Sequence, residues 1–328
     1  MALAYEMLLT PPGRGSPRDL AQLVQSITWS GSDREAARAL SLSIAVPKDG
    51  SVEPPQLTQG AYLVFRVKGQ PLFTGPLVSA TTTSQSAVVD LSAQDNGRFL
   101  VGNEGWYQFK NASPEQAAAA VCGDFGIPVA SLAPGGANVS RKFPGTSLDK
   151  IIKTLYSMAA DQTGKRFLLR FTGAGALEVV EKPSSATLTI QSTMSVTNTW
   201  DISKLQNSVA IYTDTGALVR RVQDQGSIEL NGQLEHVIVQ RKDEDAGPEA
   251  QAWLEDHGLQ QNLTVETLGD TRLISGNAVE LRDTGSGVSG LFWIETDTHT
   301  WKNKQYFTKV KLNFRNLMDS TTAGSEVK

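Results

Sequence analysis

The sequence predicts a mainly β protein with α+β parts, in which two antiparallel, β-barrel-like domains flank a small α+β domain. The first hundred residues contain short β-rich segments separated by Gly, Pro, Ser and Thr, and alternating segments return from about Met194. Between them lie two segments with strong helix-capping signals. The predicted parts are a β-barrel-like domain at 1–104, an α+β domain at 105–193, a second barrel-like domain at 194–317 with a helical insertion near 243–260, and a flexible tail at 318–328.

The first domain reads as a series of strands. The N-terminal "AYEMLLT" predicts the first strand rather than a signal peptide, because no basic residues precede it and it contains Glu6. Further strands are predicted at 61–67, 71–78 and 87–93, with Gly69 in a hairpin turn between the first two. The segment "PRDLAQLVQS" is compatible with either a short helix or a strand.

The middle domain begins with a helix whose start is marked three times. Ser113 is a candidate N-cap, Pro114 fits the first helical position, and Gln116 completes a capping box. A second helix follows in "TSLDKIIKTLYSMAADQTG", and "RFLLRF" and "ALEVVEK" are predicted strands after it. The second helix has one apolar face at helical spacing, formed by Leu148, Ile151, Ile152, Leu155 and Ala159.

The last domain consists of alternating strands that end in "QYFTKVKLNF", with one predicted helix among them. That helix is "GPEAQAWLEDHG", with Pro248 in its first turn and Gly258 after its end. Predicted strands surround it in "NSVAIYT", "ALVRRVQD", "EHVIVQ", "LTVETL", "AVELR" and "LFWIETDTHTW".

Composition limits the possible functions. The chain has 328 residues, 20% of them charged, and a net charge of −4, which argues against a sequence-specific nucleic-acid binder. Its apolar runs are far shorter than the roughly 18 residues that predict a transmembrane helix, so we expect no membrane insertion. The one cysteine, Cys122, excludes an intrachain disulfide and is expected to be a small buried residue.

Chemistry-bearing motifs are sparse. Glu295, Asp297 and His299 alternate, so they would share one face of a strand, as metal ligands, as an acid–base pair or as a plain polar face. The cluster Asp243, Glu244 and Asp245 precedes a predicted helix, where the helix dipole favours negative charge; a Ca²⁺ site is the alternative. Since no zinc or hydrolase motif is present, we predict no catalytic residues, no metal, no cofactor and no enzymatic activity.

Four stretches carry a resemblance to a known family. They are "ITWSGSDREAARALSLSI", "SPEQAAAAVCGDFGIPVASLA", "GTSLDKIIKTLYSMAADQTGKRFLLRF" with "GALEVVEK", and "WIETDTHTWKNKQYFTKVKLNF". In this order they resemble XkdQ-like proteins, the baseplate hub proteins of contractile phage tails and phage-tail-like particles. The first stretch departs from the family pattern by an added Ser and by Glu in place of Gln.

The resemblance implies a fold similar to the T-even-type hub and a homotrimeric ring that joins a sixfold tail tube to a threefold central spike. It implies contacts with the tail tube or a distal tube initiator, with wedge and LysM-type baseplate proteins, and with a tape-measure protein in the lumen. The protein would lie in the baseplate of a virion, tailocin or other contractile injection system assembled in the host cytoplasm. Candidate subunit or domain interface residues are Trp29, Arg34, Glu35, Arg38, Trp106, Tyr107 and Trp301.

Two other functions remain open from the sequence alone. A tail-associated cell-wall hydrolase would use the Glu295–His299 strand and the acidic cluster, and a carbohydrate-binding module would use Trp29 or "GWYQF" at 105–109. On the hub interpretation, the acidic composition leads us to expect an acidic lumen, because a basic wall would bind phosphate.

Overall fold

The computed structural model describes residues 4–13, 15–191, 193–241 and 245–327. The chain divides into two compact units, of which unit 1 comprises Met1–Val196 and Thr264–Lys328 and unit 2 comprises Thr197–Leu263. The strands and helices are, in chain order, β1 (Tyr5–Thr10), β2 (Arg18–Asp19), β3 (Val24–Ser32), β4 (Ala39–Ala45), β5 (Tyr62–Val67), β6 (Gln70–Thr82), β7 (Val88–Gln94), α1 (Gly97–Gly102), β8 (Glu104–Ala112), α2 (Pro114–Asp124), β9 (Val129–Leu132), β10 (Val139–Ser147), α3 (Leu148–Thr163), β11 (Phe167–Phe171), β12 (Leu177–Glu181), β13 (Leu188–Ile190), β14 (Thr193–Asp201), β15 (Ser208–Thr213), β16 (Leu218–Gln223), α4 (Gln225–Asn231), β17 (Glu235–Gln240), α5 (Gly247–Asp256), β18 (Gln260–Leu268), β19 (Ala278–Asp283), β20 (Val288–Lys302) and β21 (Gln305–Asn313).

A large branched sheet dominates unit 1. Within unit 1 its main path runs β21-β20-β3-β4-β7-β6-β5-β1-β2, and β19 with β13 branches from β20. Strand β20, near the C-terminus, pairs antiparallel with β3, near the N-terminus, so that His299 lies opposite Trp29. Segments that the sequence assigned to different predicted domains are thus neighbours in one sheet, and the division at 104/105 and 193/194 stays a prediction.

Much of the buried apolar surface of unit 1 lies in two clusters of described residues. Alternation places one face of the large sheet inward, and Ile27, Leu42 and Leu91 are among its buried residues. The second cluster lies around α3, whose predicted apolar face is fully buried. Burying that face stabilises the helix far more than its intrinsic propensity does.

Unit 2 is built on the three-stranded sheet β16-β15-β17, in which β15 and β17 are parallel. Helix α5 packs on it, and Val209, Ile211, Ile238 and Ala250 form a small buried cluster. The helix begins with Pro248 in its first turn, as predicted. The sequence predicts one helix in this region. Helix α4 is a second, and Asp224 caps it by accepting a hydrogen bond from the Ser227 backbone N–H.

The predicted fold class, mainly β with α+β parts and a helical insertion, is confirmed. The hairpin turn at Gly69 is confirmed too, since Lys68 and Gly69 have φ values of 51° and 77°. The ambiguous segment 17–26 is extended at both ends rather than helical. Strands β8 and β10 and the short helix α1 were not predicted.

The segment predicted to be a flexible tail is instead held against unit 1 over residues 318–327. Its backbone exchanges two hydrogen bonds between Ser325 and Lys142, and Arg141 donates to the carbonyl of Ala323. Met318 and Ala323 pack on the helical core. A polar composition concealed these contacts because they are made mostly by the backbone.

None of the helices in the described residues is both long and apolar enough to span a membrane.

Candidate functional site: a buried ion-pair centre and an exposed aromatic surface

A β-bulge separates the three residues that the sequence aligned on one strand face. The register of β20 against β21 shifts between Ile294 and Thr296, so Glu295 does not share the face of Asp297 and His299. Instead, the Glu295 carboxylate contacts the Lys311 amine at 3.1 Å. The expectation that all three side chains share one face is therefore wrong.

Asp297 is the centre of a buried polar cluster. Its carboxylate accepts hydrogen bonds from both terminal nitrogens of Arg38, one of them at 3.0 Å, and from the Ser275 backbone N–H at 2.7 Å. The carboxylate also lies 3.2 Å from His299 Nε2. Burial raises the pKa of Asp297, but the charge of Arg38 and the hydrogen bonds from His299 and Arg38 outweigh it and lower the pKa to about 2.

Aromatic rings enclose this cluster. The His299 ring lies between Trp29, at a centroid distance of 4.8 Å, and Tyr306, whose hydroxyl is 2.8 Å from His299 Nδ1. Trp301 stacks on Tyr306 at 4.1 Å, and the Arg38 guanidinium lies over the Trp29 ring at 4.2 Å. The arrangement pairs the buried charges with each other inside a packed aromatic core, in which Arg38 Nε and the indole N–H groups of Trp29 and Trp301 have no hydrogen-bond partner.

The geometry suits a structural connection. The Asp297 and His299 side chains are fully buried, and their polar atoms already have partners in Arg38, Ser275 and Tyr306. Arg38 precedes β4 and Asp297 lies on β20, so the ion pair connects segments 259 residues apart. Among the residues that the structure describes, no group of three or more His, Cys, Asp or Glu is arranged to hold a metal ion.

The predicted interface residues fall into two groups. Trp29, Arg38 and Trp301 lie within the buried centre, where the first and last segments of the chain meet. The remaining four residues lie nearer the surface of unit 1: Arg34, Glu35, Trp106 and Tyr107.

Trp106 is the most exposed of these aromatics. Its residue surface is 60% exposed, and the Lys142 amine lies 5.2 Å from the ring centroid. The neighbouring Tyr107 points the other way along β8, packs on the helical core and donates a hydrogen bond to Asp124 at 2.9 Å. Alternation along β8 thus leaves Trp106 available to a partner.

The predicted acidic cluster is described only in part. Asp243 and Glu244 lie outside the described residues. Asp245 accepts hydrogen bonds from Arg220 at 2.7 Å and from the Gly247 backbone N–H at 2.9 Å, at the start of α5. These contacts fit the interpretation of Asp245 as part of a helix start.

The pairing of Arg38 with Asp297 was not predicted, although each residue was a candidate separately. Nothing in a single sequence connects two positions so far apart. The sequence offered a weaker signal. Asp297 lies on the side of its strand that also carries apolar residues, and a carboxylate buried there needs a partner of opposite charge such as Arg38.

Known proteins share both the sequence pattern and the fold. The chain is 25% identical to the phage-like element PBSX protein XkdQ of Bacillus subtilis, over 91% of this chain and 95% of that protein. The structure resembles the 43 kDa tail protein of prophage MuSo2 from Shewanella oneidensis, with a TM-score of 0.69 and 16% identity, over 94% of this chain and 98% of the other.

A secretion-system protein has the same fold. The E. coli c3393 protein, described as a type VI secretion component similar to the T4 tail proteins gp27 and gp5, matches 98% of this chain and 79% of its own, with a TM-score of 0.54 and 11% identity. The YqbQ-like family model matches residues 27–313. Since that range is well over half of the sequence, the chain belongs to the YqbQ-like family.

Proposed function

We propose that this protein is the structural baseplate hub of a contractile tail. Three copies of the chain would form a ring that joins the tail tube to the central spike. The observation that carries the proposal is the likeness to tail proteins over nearly the whole chain, in sequence to XkdQ and in fold to the MuSo2 protein. The c3393 protein adds support, because its described similarity to gp27 and gp5 extends the likeness to tail components of another phage.

The buried centre fits a scaffold better than an enzyme. General acid–base catalysis needs a titratable group within reach of a substrate. Here, Asp297 and His299 are sealed inside the aromatic core and Glu295 is separated from them by the bulge. The protein is proposed to act without catalysis and without a metal or cofactor.

The proposed partners are further copies of the chain, the central spike protein, the tail tube or its initiator, and the neighbouring baseplate proteins. A ring of identical chains needs closing, head-to-tail interfaces, and permanent interfaces of this kind commonly bury on the order of 2,000 Å² or more. Among the predicted interface residues, Trp106 has the exposure and the aromatic character that interface hot spots favour. We propose it as an anchor at a subunit or baseplate contact.

Native mass spectrometry of the chain mixed with the spike protein encoded beside it tests this proposal. We expect a complex with three copies of each protein. Trp106→Ala is the informative variant and Leu230→Ala, at another exposed apolar residue, the control. Absence of any complex at assembly-like concentrations would contradict the hub function.

Carbohydrate binding is a second candidate because Trp106 presents an exposed ring beside a lysine. Binding of the purified chain to cell-wall glycans, lost in Trp106→Ala, would support it. Glycan binding without any association with the spike would favour it over the hub.

A further inference from the structure

One face of the large sheet in unit 1 carries hydroxyl side chains in register across five neighbouring strands. The pairing of β20, β3, β4, β7 and β6 aligns a central row of Thr300, Thr28, Ser41, Ser92 and Ser79. A second row on the same face, two residues away along each strand, contains Lys302, Ser26, Ser43, Asp90 and Thr81. We call this surface the hydroxyl face.

The hydroxyl face is the outward side of the sheet. Alternation puts Ile27, Leu42 and Leu91 on the opposite side, where they are buried in the core. In the central row Ser41 and Ser79 are exposed and the others half-buried. Any surface that meets this sheet from outside the chain must therefore meet hydroxyl groups.

The hydroxyl face is also concave. An open groove of about 330 Å³ lies on it, lined by residues of both rows, among them Thr28, Ser41, Ser79, Asp90 and Ser92. The groove lies across four neighbouring strands, β3, β4, β7 and β6, so the hydroxyl face is hollowed at this place.

The side chains of this surface favour weak contact with a passing molecule rather than stable docking of a partner. Interface cores are enriched in aromatic residues and Arg and depleted in Ser. The central row is uncharged, so it lacks the cations that bind phosphate, and it presents no apolar patch to an extended polypeptide. A concave, neutral and weakly adhesive surface suits a passage through which a polymer slides.

We infer that the hydroxyl face lines the central channel of the assembled ring. This inference rests on the proposed hub function and adds to it the side of each subunit that faces the axis. It replaces the acidic lumen expected from net charge by a wall of neutral hydroxyls, with Lys302 and Asp90, of opposite charge, as the charged residues of its second row.

Cysteine labelling tests this placement, and the chain suits the method. Cys122 is buried, and burial raises the pKa of its thiol to about 11, so it reacts poorly with maleimides at neutral pH. Ser41→Cys and Ser92→Cys each add one thiol to the hydroxyl face with almost no change in volume. Ser185→Cys, at an exposed residue outside the sheet, is the control in the free chain.

The reagents are N-ethylmaleimide and a maleimide coupled to a folded protein, used on the free chain and on purified particles that have released their contents. In the free chain we expect Ser41→Cys and the control to react with both reagents. In particles, Ser41→Cys and Ser92→Cys should keep reacting with N-ethylmaleimide and lose at least ten-fold in labelling by the bulky reagent.

Each other outcome is decisive. Full labelling by both reagents in particles would put the hydroxyl face on the outer surface. Protection from both reagents would put it in a subunit contact. Either result overturns the inference about the channel and does not contradict the hub function. Absence of the wild-type chain from purified particles would instead overturn the hub function itself.

Discussion

Removing Arg38 is the sharpest test of the buried ion-pair centre. The Asp297 side chain is fully buried and that of Arg38 is 12% exposed, so Arg38→Met would leave a buried carboxylate without its cation. Breaking a buried pair in this way costs about 3–5 kcal/mol of unfolding free energy. Arg38→Met/Asp297→Asn should recover part of that loss, because the uncompensated charge is then gone.

Chemical unfolding followed by tryptophan fluorescence and near-ultraviolet circular dichroism measures the effect. Arg272→Met is the matched control, since the 69% exposed Arg272 side chain pairs with Asp270 at the surface; exposed pairs contribute about 0–1 kcal/mol. A loss below about 1 kcal/mol for Arg38→Met, equal to the control, would refute the structural role given to the pair.

Further predictions concern pH, packing and assembly. Because Asp297 has a pKa of about 2 against 3.8 unfolded, its roughly 2 kcal/mol of stabilisation is complete above about pH 4 and lost as pH falls toward 2; Asp297→Asn should lack this dependence in acid titrations. Burial, partly offset by backbone hydrogen bonds, raises the pKa of Asp95 to about 6, so the free energy of unfolding should rise by about 2 kcal/mol as pH falls from 7 to 4, and not in Asp95→Asn. Gly173→Ala should lower the thermal midpoint markedly, because a Cβ there would lie 1.9 Å from the Pro71 carbonyl oxygen; an unchanged midpoint would contradict this packing. Trp106→Ala should leave the midpoint unchanged and reduce incorporation into particles; full incorporation would remove Trp106 from the interface.

Local patterns predicted the elements well. The α3 face at i, i+3, i+4 and i+7 is buried throughout, and the N-cap at Ser113 accepts a hydrogen bond from the Gln116 backbone N–H. These features depend on neighbours within a few residues, which a sequence displays directly.

Long-range features were less accessible. The pairing of β3 with β20 and the Arg38–Asp297 ion pair join positions more than 250 residues apart, and local spacing carries no information about them. The bulge after Ile294 changed which residues share a face, since one inserted residue reverses the alternation that follows. The hydroxyl face was visible only strand by strand, in the alternating Ser and Thr of "SITWS", "ALSLSIA" and "TDTHTW", until the register aligned the strands.

An electron cryomicroscopy map of the particle that contains this chain tests the central claim most directly. The hub account predicts three copies of the chain in a ring on the tail axis, between the tube and the spike, with Ser41 and Ser92 facing the channel. A map that places the chain at the baseplate periphery, or in a copy number that is not three, would contradict it.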